Sequence, residues 1–137
     1  MKNLTHAQAE TLVSVIRTLC PHECLDISIY RRAVSHFDRL AAAAEVAGTI
    51  DRFCEAIVSG WPLAFGALAE TYRVQALQRL QETAEFMFVQ RMAVRYLYDD
   101  VEVWAAFGYQ GASVHLGGYV GRGFNDLDWL PDLPNDL

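Results

Sequence analysis

The run Cys20-Pro21-His22-Glu23-Cys24 is the first group of residues that could do chemistry. Thiolate and imidazole groups are typical ligands of Zn²⁺, and a structural zinc site needs four ligands. The other histidines, His6, His36 and His115, supply no second ligand pair at a suitable spacing. The three cysteines of the chain are odd in number and form no disulfide framework. We therefore predict reduced, buried thiols packed around a turn rather than a metal site.

A second group, Ser113, His115 and either Asp126 or Asp128, contains the residue types of a hydrolytic triad. Nucleophilic catalysis needs a base beside the nucleophile and a third group that orients the base. Nothing in the sequence brings these residues together, and the G-x-S-x-G motif is absent. The pattern favours His115 as a polar group on an irregular surface, so we predict no catalytic residue in this chain.

A cluster of glycines could indicate a nucleotide-binding loop. Six of the nine glycines lie in one stretch: Gly108, Gly111, Gly117, Gly118, Gly121 and Gly123. The sequence GGYVGRG within it does not match G-x-G-x-x-G, follows no strand pattern and opens no amphipathic helix. The chain has no Walker lysine motif and no C-x-x-C-H haem motif. We therefore predict that this chain itself holds no cofactor.

Aromatic residues are interspersed with these glycines: Trp104, Phe107, Tyr109, Tyr119, Phe124 and Trp129. Glycine makes a regular helix costly, whereas aromatic side chains gain most from burial. Residues 108–137 are therefore predicted to form an ordered but irregular arm that needs a surface to lie on. Trp129 and Leu130, near the chain end, are natural anchors for a pocket in a partner protein. These arguments leave two surfaces open, the chain's own helices and a partner.

Residues 1–107 carry helical periodicity, which predicts an all-α body, a small bundle of about five or six helices. Thr5 and Gln8 have the spacing of a capping box at the start of the first helix, and Pro21 ends that helix. A fourth helix is predicted over roughly Glu70 to Leu80. No stretch shows the alternation of a β-strand, and no internal repeat is present.

The second and third helices are predicted to meet at a glycine. The second should start near Asp26 or Ser28 and reach about Ala47, where Gly48 is a plausible stop. Thr49 is then expected to cap the third helix. The polar residues of the second helix are expected mostly on its solvent side: Arg31, Arg32, Asp38 and Arg39.

The fifth helix opens near Thr83 and is the most apolar of the chain. Because apolar side chains lie nearly all around its first turns, we expect this helix to be central. Asp99 or Asp100 should cap a last helix that runs to Phe107, and Gly108 stands where a C-terminal glycine belongs.

Composition and charge argue against several classes of function. A chain of 137 residues, 53% of them hydrophobic, is long enough for one domain with a single core. The net charge of −6 argues against binding to nucleic acid. No apolar run approaches the roughly 20 residues of a membrane-spanning helix, and no signal peptide is visible. The internal pair Arg31–Arg32 is not expected to act as a twin-arginine export signal, so we expect a cytoplasmic protein.

Two segments of the chain resemble the family of small subunits named after gluconate 2-dehydrogenase subunit 3. The first is Arg17 to Glu23 followed by Tyr30, and the second runs from Tyr98 to Pro131. Between about Ala41 and Leu80 the likeness lies only in helical character. The motif residues that carry the resemblance are Pro21, His22, Gly108, Gly111, Gly117, Gly118 and Gly123.

The resemblance implies a non-catalytic accessory subunit. In that family the small helical subunit pairs with a large flavoprotein of the glucose-methanol-choline type, which holds FAD and oxidises a sugar, polyol or sugar acid. Some complexes add a multihaem cytochrome. The residues expected to bind the partner are Trp104, Tyr109, His115, Tyr119, Arg122, Phe124, Trp129 and Leu130.

The family's small subunit aids maturation and stability of the large one and, where it carries a twin-arginine signal, its export. This chain shows no such signal, which favours a cytoplasmic complex or a partner exported by its own signal. Two other interpretations stay open. One is a stand-alone enzyme or ligand-binding domain with a pocket near His22, Tyr109 and His115, and the other is a structural protein that exchanges its arm between copies.

Overall fold

A computed structural model of the protein describes residues 1–108. Its elements in chain order are α1 His6–Leu19, α2 Ile27–Leu40, α3 Ala44–Val58, a short 3-10 turn Phe65–Ala67, α4 Glu70–Leu80, α5 Ala84–Tyr98 and α6 Val101–Ala106. All regular structure within this range is helical, which confirms the all-α class and the predicted number of helices. None of these helices is long and apolar enough to cross a lipid bilayer.

Helix α1 lies at the centre of the bundle and packs against α2, α3, α4, α5 and the 3-10 turn. Its start confirms the capping box, since Thr5 Oγ1 accepts from the Gln8 amide at 3.2 Å and Gln8 Oε1 accepts from the Thr5 amide at 2.9 Å. The inward residues of α1 have no exposed surface: Leu12, Val15 and Ile16. Complete burial of such side chains is the largest favourable contribution to folding.

The prediction that α5 is the central helix is wrong, because α1 occupies that place. Helix α5 does contribute buried side chains on one face and opens at Thr83 as predicted, and the Thr83 hydroxyl accepts from the Phe86 amide. Its opposite face stays exposed, with 47% of Met87 and 43% of Val94 accessible. Some of the apolar residues that suggested a central position therefore lie on a face of α5 that the other helices within residues 1–108 do not cover.

The predicted boundary between the second and third helices is also wrong. Helix α2 begins after an Asp26 cap as expected, but it ends at Leu40, and α3 already begins at Ala44. Gly48 is inside α3 rather than at its start, and Thr49 Oγ1 donates to a carbonyl of the preceding turn of α3. The alanines around position 43 carry no helix stop signal, so the reversal there comes from packing of both helices on the core.

Asp38 is buried in the structure, although the sequence placed it on the solvent side of α2. Its Oδ1 accepts from the backbone amides of Lys2, Asn3 and Leu4 at 3.1, 2.9 and 2.8 Å. These amide donors hold the pKa of the Asp38 carboxyl below its ordinary value. The carboxylate thus fastens the N-terminal segment to α2.

The position of Gly48 can be tested by Gly48→Ala. We expect the free energy of unfolding to rise by about 0.5–1 kcal/mol, because alanine loses less conformational freedom than glycine in a helix interior. The added Cβ would lie 3.3 Å from Nη1 of Arg52, the far end of an exposed and flexible side chain that can shift. Urea unfolding followed by circular dichroism measures the change.

The matched control is Gly60→Ala. Gly60 has a φ of 83°, in the left-handed region, so alanine there is expected to lower the free energy of unfolding by about 1–2 kcal/mol. A loss of stability in Gly48→Ala similar to that in Gly60→Ala would contradict the placement of Gly48 inside α3.

Candidate functional site

Two distant parts of the chain meet at His22. Its Nε2 shares a hydrogen bond with the hydroxyl of Tyr98, and its ring packs edge-on against Tyr98 and Phe107 with centroid distances of 5.7 and 4.9 Å. We call His22, Tyr98 and Phe107 the His22 cluster. The cluster joins the turn after α1 to the ends of α5 and α6, and so it brings together both segments on which the family resemblance depends.

Tyr30 of α2 holds the turn that carries His22. Its hydroxyl is buried and donates to the Cys20 carbonyl at 2.9 Å, while it accepts from the His22 amide at 3.4 Å. Burial raises the pKa of Tyr30, so the hydroxyl keeps its proton. The turn is therefore fixed by a core side chain.

The cysteines differ in their surroundings. Cys20 is buried and Cys54 half-buried, but Cys24 is exposed, so the prediction of buried thiols around the turn is confirmed for Cys20 and wrong for Cys24. Burial raises the pKa of the Cys20 thiol, with a partial offset from a hydrogen bond with Tyr98, and burial raises the pKa of Cys54 to about 12. Raised pKa values keep both thiols protonated and poorly nucleophilic near neutral pH.

Metal-binding groups do not converge within residues 1–108, where no three side chains among His, Cys, Asp and Glu are arranged to hold an ion. In the Cys20–Cys24 run the two thiols differ in exposure and the imidazole engages Tyr98. Burial also raises the pKa of Tyr98 to about 12, so that its hydroxyl is protonated when it contacts His22.

An ion pair between α2 and α6 positions the second half of the His22 cluster. Arg32 Nε lies 2.8 Å from Oδ2 of Asp100, Arg32 Nη2 lies 3.2 Å from Oδ1, and Nη2 is also 3.0 Å from Glu102. Asp100 caps α6 at the same time, since its Oδ1 accepts from the Glu102 amide at 2.9 Å. This bidentate pair with Arg32 holds the pKa of Asp100 below its ordinary value.

Helix α6 folds back on the end of α5 through Trp104. Its indole Nε1 donates to the Tyr98 carbonyl at 2.6 Å. Gly108 follows α6 with a φ of 72°, which confirms the glycine expected at the end of that helix. The remaining predicted partner-binding and motif residues lie outside the described residues: Tyr109, Gly111, His115, Gly117, Gly118, Tyr119, Arg122, Gly123, Phe124, Trp129 and Leu130. The predicted arm and the triad candidate Ser113 lie there too.

A row of exposed apolar side chains leads along α5 to the His22 cluster. Met87, Val94 and Tyr98 lie on one face of the helix at helical spacing, with the exposed Arg91 between the first two, and Tyr98 is 38% exposed. We call these three residues the α5 stripe. Val101 at the start of α6 and Phe107 after its end are further exposed apolar residues.

A cavity of about 250 Å³ opens on the other side of His22, between α1, α2, α4 and the 3-10 turn. Its lining combines charged, hydroxyl and small residues: Ser14, Arg17, Thr18, Pro21, His22, Glu23, Tyr30, Gly66, Glu70 and Arg73. The sequence suggested a pocket near His22, but it singled out none of the residues from α4. These residues come from different helices, so no spacing pattern in the chain could have grouped them.

No family model, no curated protein and no solved structure matches this chain. The resemblance to the small-subunit family therefore stays a prediction, and the function has to be argued from the residues and their geometry.

The Arg32–Asp100 pair can be tested by Arg32→Gln. Because Arg32 lowers the pKa of Asp100, the substitution is expected to raise that pKa toward its ordinary value of about 3.9. The stability that this carboxylate provides is present above the pKa of the unfolded chain and is lost as the pH falls through the lower folded value. Carboxyl-carbon NMR titration of Asp100 and amide exchange in α6 measure the two effects.

The matched control for this experiment is Arg31→Gln, which removes an exposed charge from the adjacent position of α2. It should leave the titration of Asp100 unchanged. If both variants titrate alike at Asp100, the pair does not position α6.

Proposed function

We propose that this protein is a non-catalytic small subunit that binds and stabilises an FAD-dependent dehydrogenase of the glucose-methanol-choline type. The partner holds the FAD and oxidises a sugar, polyol or sugar acid. The observation that carries the proposal is the His22 cluster, in which His22 from the first resembling segment contacts Tyr98 and Phe107 from the second. Because side chains from the two segments contact one another, there is a physical reason for both segments to be required together.

The α5 stripe supports binding to a partner whose contact surface is largely apolar. Met87 and Val94 are exposed on a helix whose other face is in the core, with the exposed Arg91 between them. Tyr98 and Phe107 are exposed near the ends of α5 and α6. Exposed large apolar side chains on one face are typical of protein interfaces, and subunits of permanent complexes bury them most extensively. The stripe ends where the chain continues beyond Gly108 into the aromatic, glycine-rich segment.

Stabilisation of the partner follows from mass action. A subunit that binds only the folded partner raises the partner's free energy of unfolding by about 2.7 kcal/mol when its free concentration is a hundred times the dissociation constant. No chemistry by the small subunit is required. An accessory protein of this kind needs a rigid body and an apolar contact surface, and the helices of residues 1–108 provide both.

Co-expression with a glucose-methanol-choline flavoprotein from the same genome tests the proposal. We expect the two chains to co-purify, and we expect the flavoprotein to retain more FAD and to unfold at a higher temperature than when it is produced alone. Flavin absorbance per mole of large chain is the measurement. If the chains do not co-purify and the large chain takes up FAD equally well alone, the proposal is wrong.

The contact surface is tested by Val94→Asp on the α5 stripe. A carboxylate that is buried without a partner in an apolar interface is costly, so we expect the dissociation constant of the complex to rise at least about tenfold. The matched control is Val74→Asp, at a similarly exposed valine on α4.

In the C-terminal segment, Trp129→Ala and Tyr119→Ala are expected to weaken the complex more than they lower the helicity of the isolated chain.

Binding to the immobilised partner measures the affinity of each variant, and circular dichroism measures the helicity of the isolated chain. The two measurements together separate the outcomes. Equal weakening by Val94→Asp and Val74→Asp would place the interface elsewhere on the molecule. Equal loss of affinity and helicity in the Trp129 and Tyr119 variants would mean that these side chains pack on the chain's own helices.

A further inference from the structure

We propose that the cavity beside His22 binds a small oxyanion, a carboxylate or a phosphate. Two arginines from different helices line it, Arg17 of α1 and Arg73 of α4. Guanidinium groups present several donors in a fixed plane that match the oxygens of these anions. Its volume of about 250 Å³ has room for a phosphate or a short organic acid.

The two arginines lack carboxylate partners. The Nε of Arg73 is buried, so a ligand in the open cavity could accept only from the Nη groups of this guanidinium. No carboxylate within residues 1–108 forms an ion pair with Arg73 or Arg17, since the arginines that do so are Arg32 and Arg52.

The remaining polar groups of the lining are consistent with an anion. Thr18 donates its proton to the Ser14 carbonyl at 2.8 Å, and Tyr30 donates to the Cys20 carbonyl, so both hydroxyls are already engaged as donors. The Ser14 hydroxyl is the lining hydroxyl left to donate to a ligand. Arg17 lies over the Tyr30 ring, with its guanidinium carbon 6.0 Å from the ring centroid, which restrains the arginine beside the cavity.

Two glutamates, Glu23 and Glu70, also line the cavity and decide how tightly an anion can bind. Both are exposed, so water screens their charges, as it does the charge of the exposed Arg17. Neither glutamate forms an ion pair with a lining arginine. The glutamates oppose the attraction of an anion, which predicts modest affinity and tighter binding after their removal.

Gly66 lies directly beside Ser14 in the lining of the cavity. A Cβ at this position would lie 2.6 Å from the Ser14 Oγ, closer than carbon and oxygen can approach. The space next to the Ser14 hydroxyl thus depends on a residue without a side chain, and Gly66→Ala would displace that hydroxyl.

Thermal unfolding and calorimetric titration of the full chain alone test the proposal, with sodium phosphate and sodium succinate as probes and sodium chloride at equal ionic strength as the reference. We expect at least one probe to raise the Tm beyond the effect of chloride. Arg73→Gln should weaken its binding at least about tenfold, the loss expected for charge-assisted hydrogen bonds, and Glu70→Gln should strengthen it. Arg91→Gln, an exposed charge on α5, is the matched control and should bind like the unaltered chain.

The outcomes are distinct. Stabilisation by phosphate alone, or by succinate alone, identifies which oxyanion the cavity takes. No stabilisation beyond chloride, or unchanged affinity in Arg73→Gln, overturns the proposal. If Arg73→Gln is unfolded by circular dichroism, Arg17→Gln at an exposed position replaces it, and unchanged affinity in that variant overturns the proposal equally. The measurement uses no flavoprotein, so it stands or fails separately from the proposed function.

Discussion

The packing of α1 against four other helices is the constraint on which the rest of the structure depends. A helix surrounded by α2, α3, α4 and α5 cannot continue past the edge of the bundle, and the chain leaves it through Cys20 and Pro21. Tyr30 is then buried against α1 and needs an acceptor for its hydroxyl, which the Cys20 carbonyl supplies. The geometry of the turn is thus set by packing, and His22 is carried into place on it.

The features that the sequence predicted correctly are local. The capping box of α1, the start of α5 near Thr83 and the cap of α6 by one of the two aspartates expected there each involve residues within one helical turn, and they are readable from spacing alone. The end of α2 was not readable in this way, because an alanine-rich stretch fits a helix and a turn equally well. Asp38 was misplaced for a related reason, since its amide partners are more than thirty positions away.

The candidate site shows the same division. His22, Tyr98 and Phe107 each drew attention through the family resemblance, but no property of the sequence indicated that residues 76 positions apart share a hydrogen bond. Arg73 carried no signal at all, because one arginine on an amphipathic helix is ordinary. Its significance comes from its place beside Arg17 in the cavity without a carboxylate partner, which only the three-dimensional structure can show. Beyond Gly108, dense glycine removes the periodicity on which such predictions rely, and composition was all that could be interpreted.

The turn at Pro21 and His22 belongs to both of the proposed surfaces. It lines the cavity with Arg17 and Arg73, and on its other side His22 contacts Tyr98 at the end of the α5 stripe. Because Tyr30 already fixes this turn, a ligand in the cavity and a partner on the α5 stripe would meet the same preformed turn, and a shift of the turn caused by one would alter the contacts of the other. Such coupling is reciprocal, so an anion that strengthens partner binding must itself bind more tightly in the complex by the same factor. The shared turn is short and held by Tyr30, and coupling through it needs no large movement of the helices.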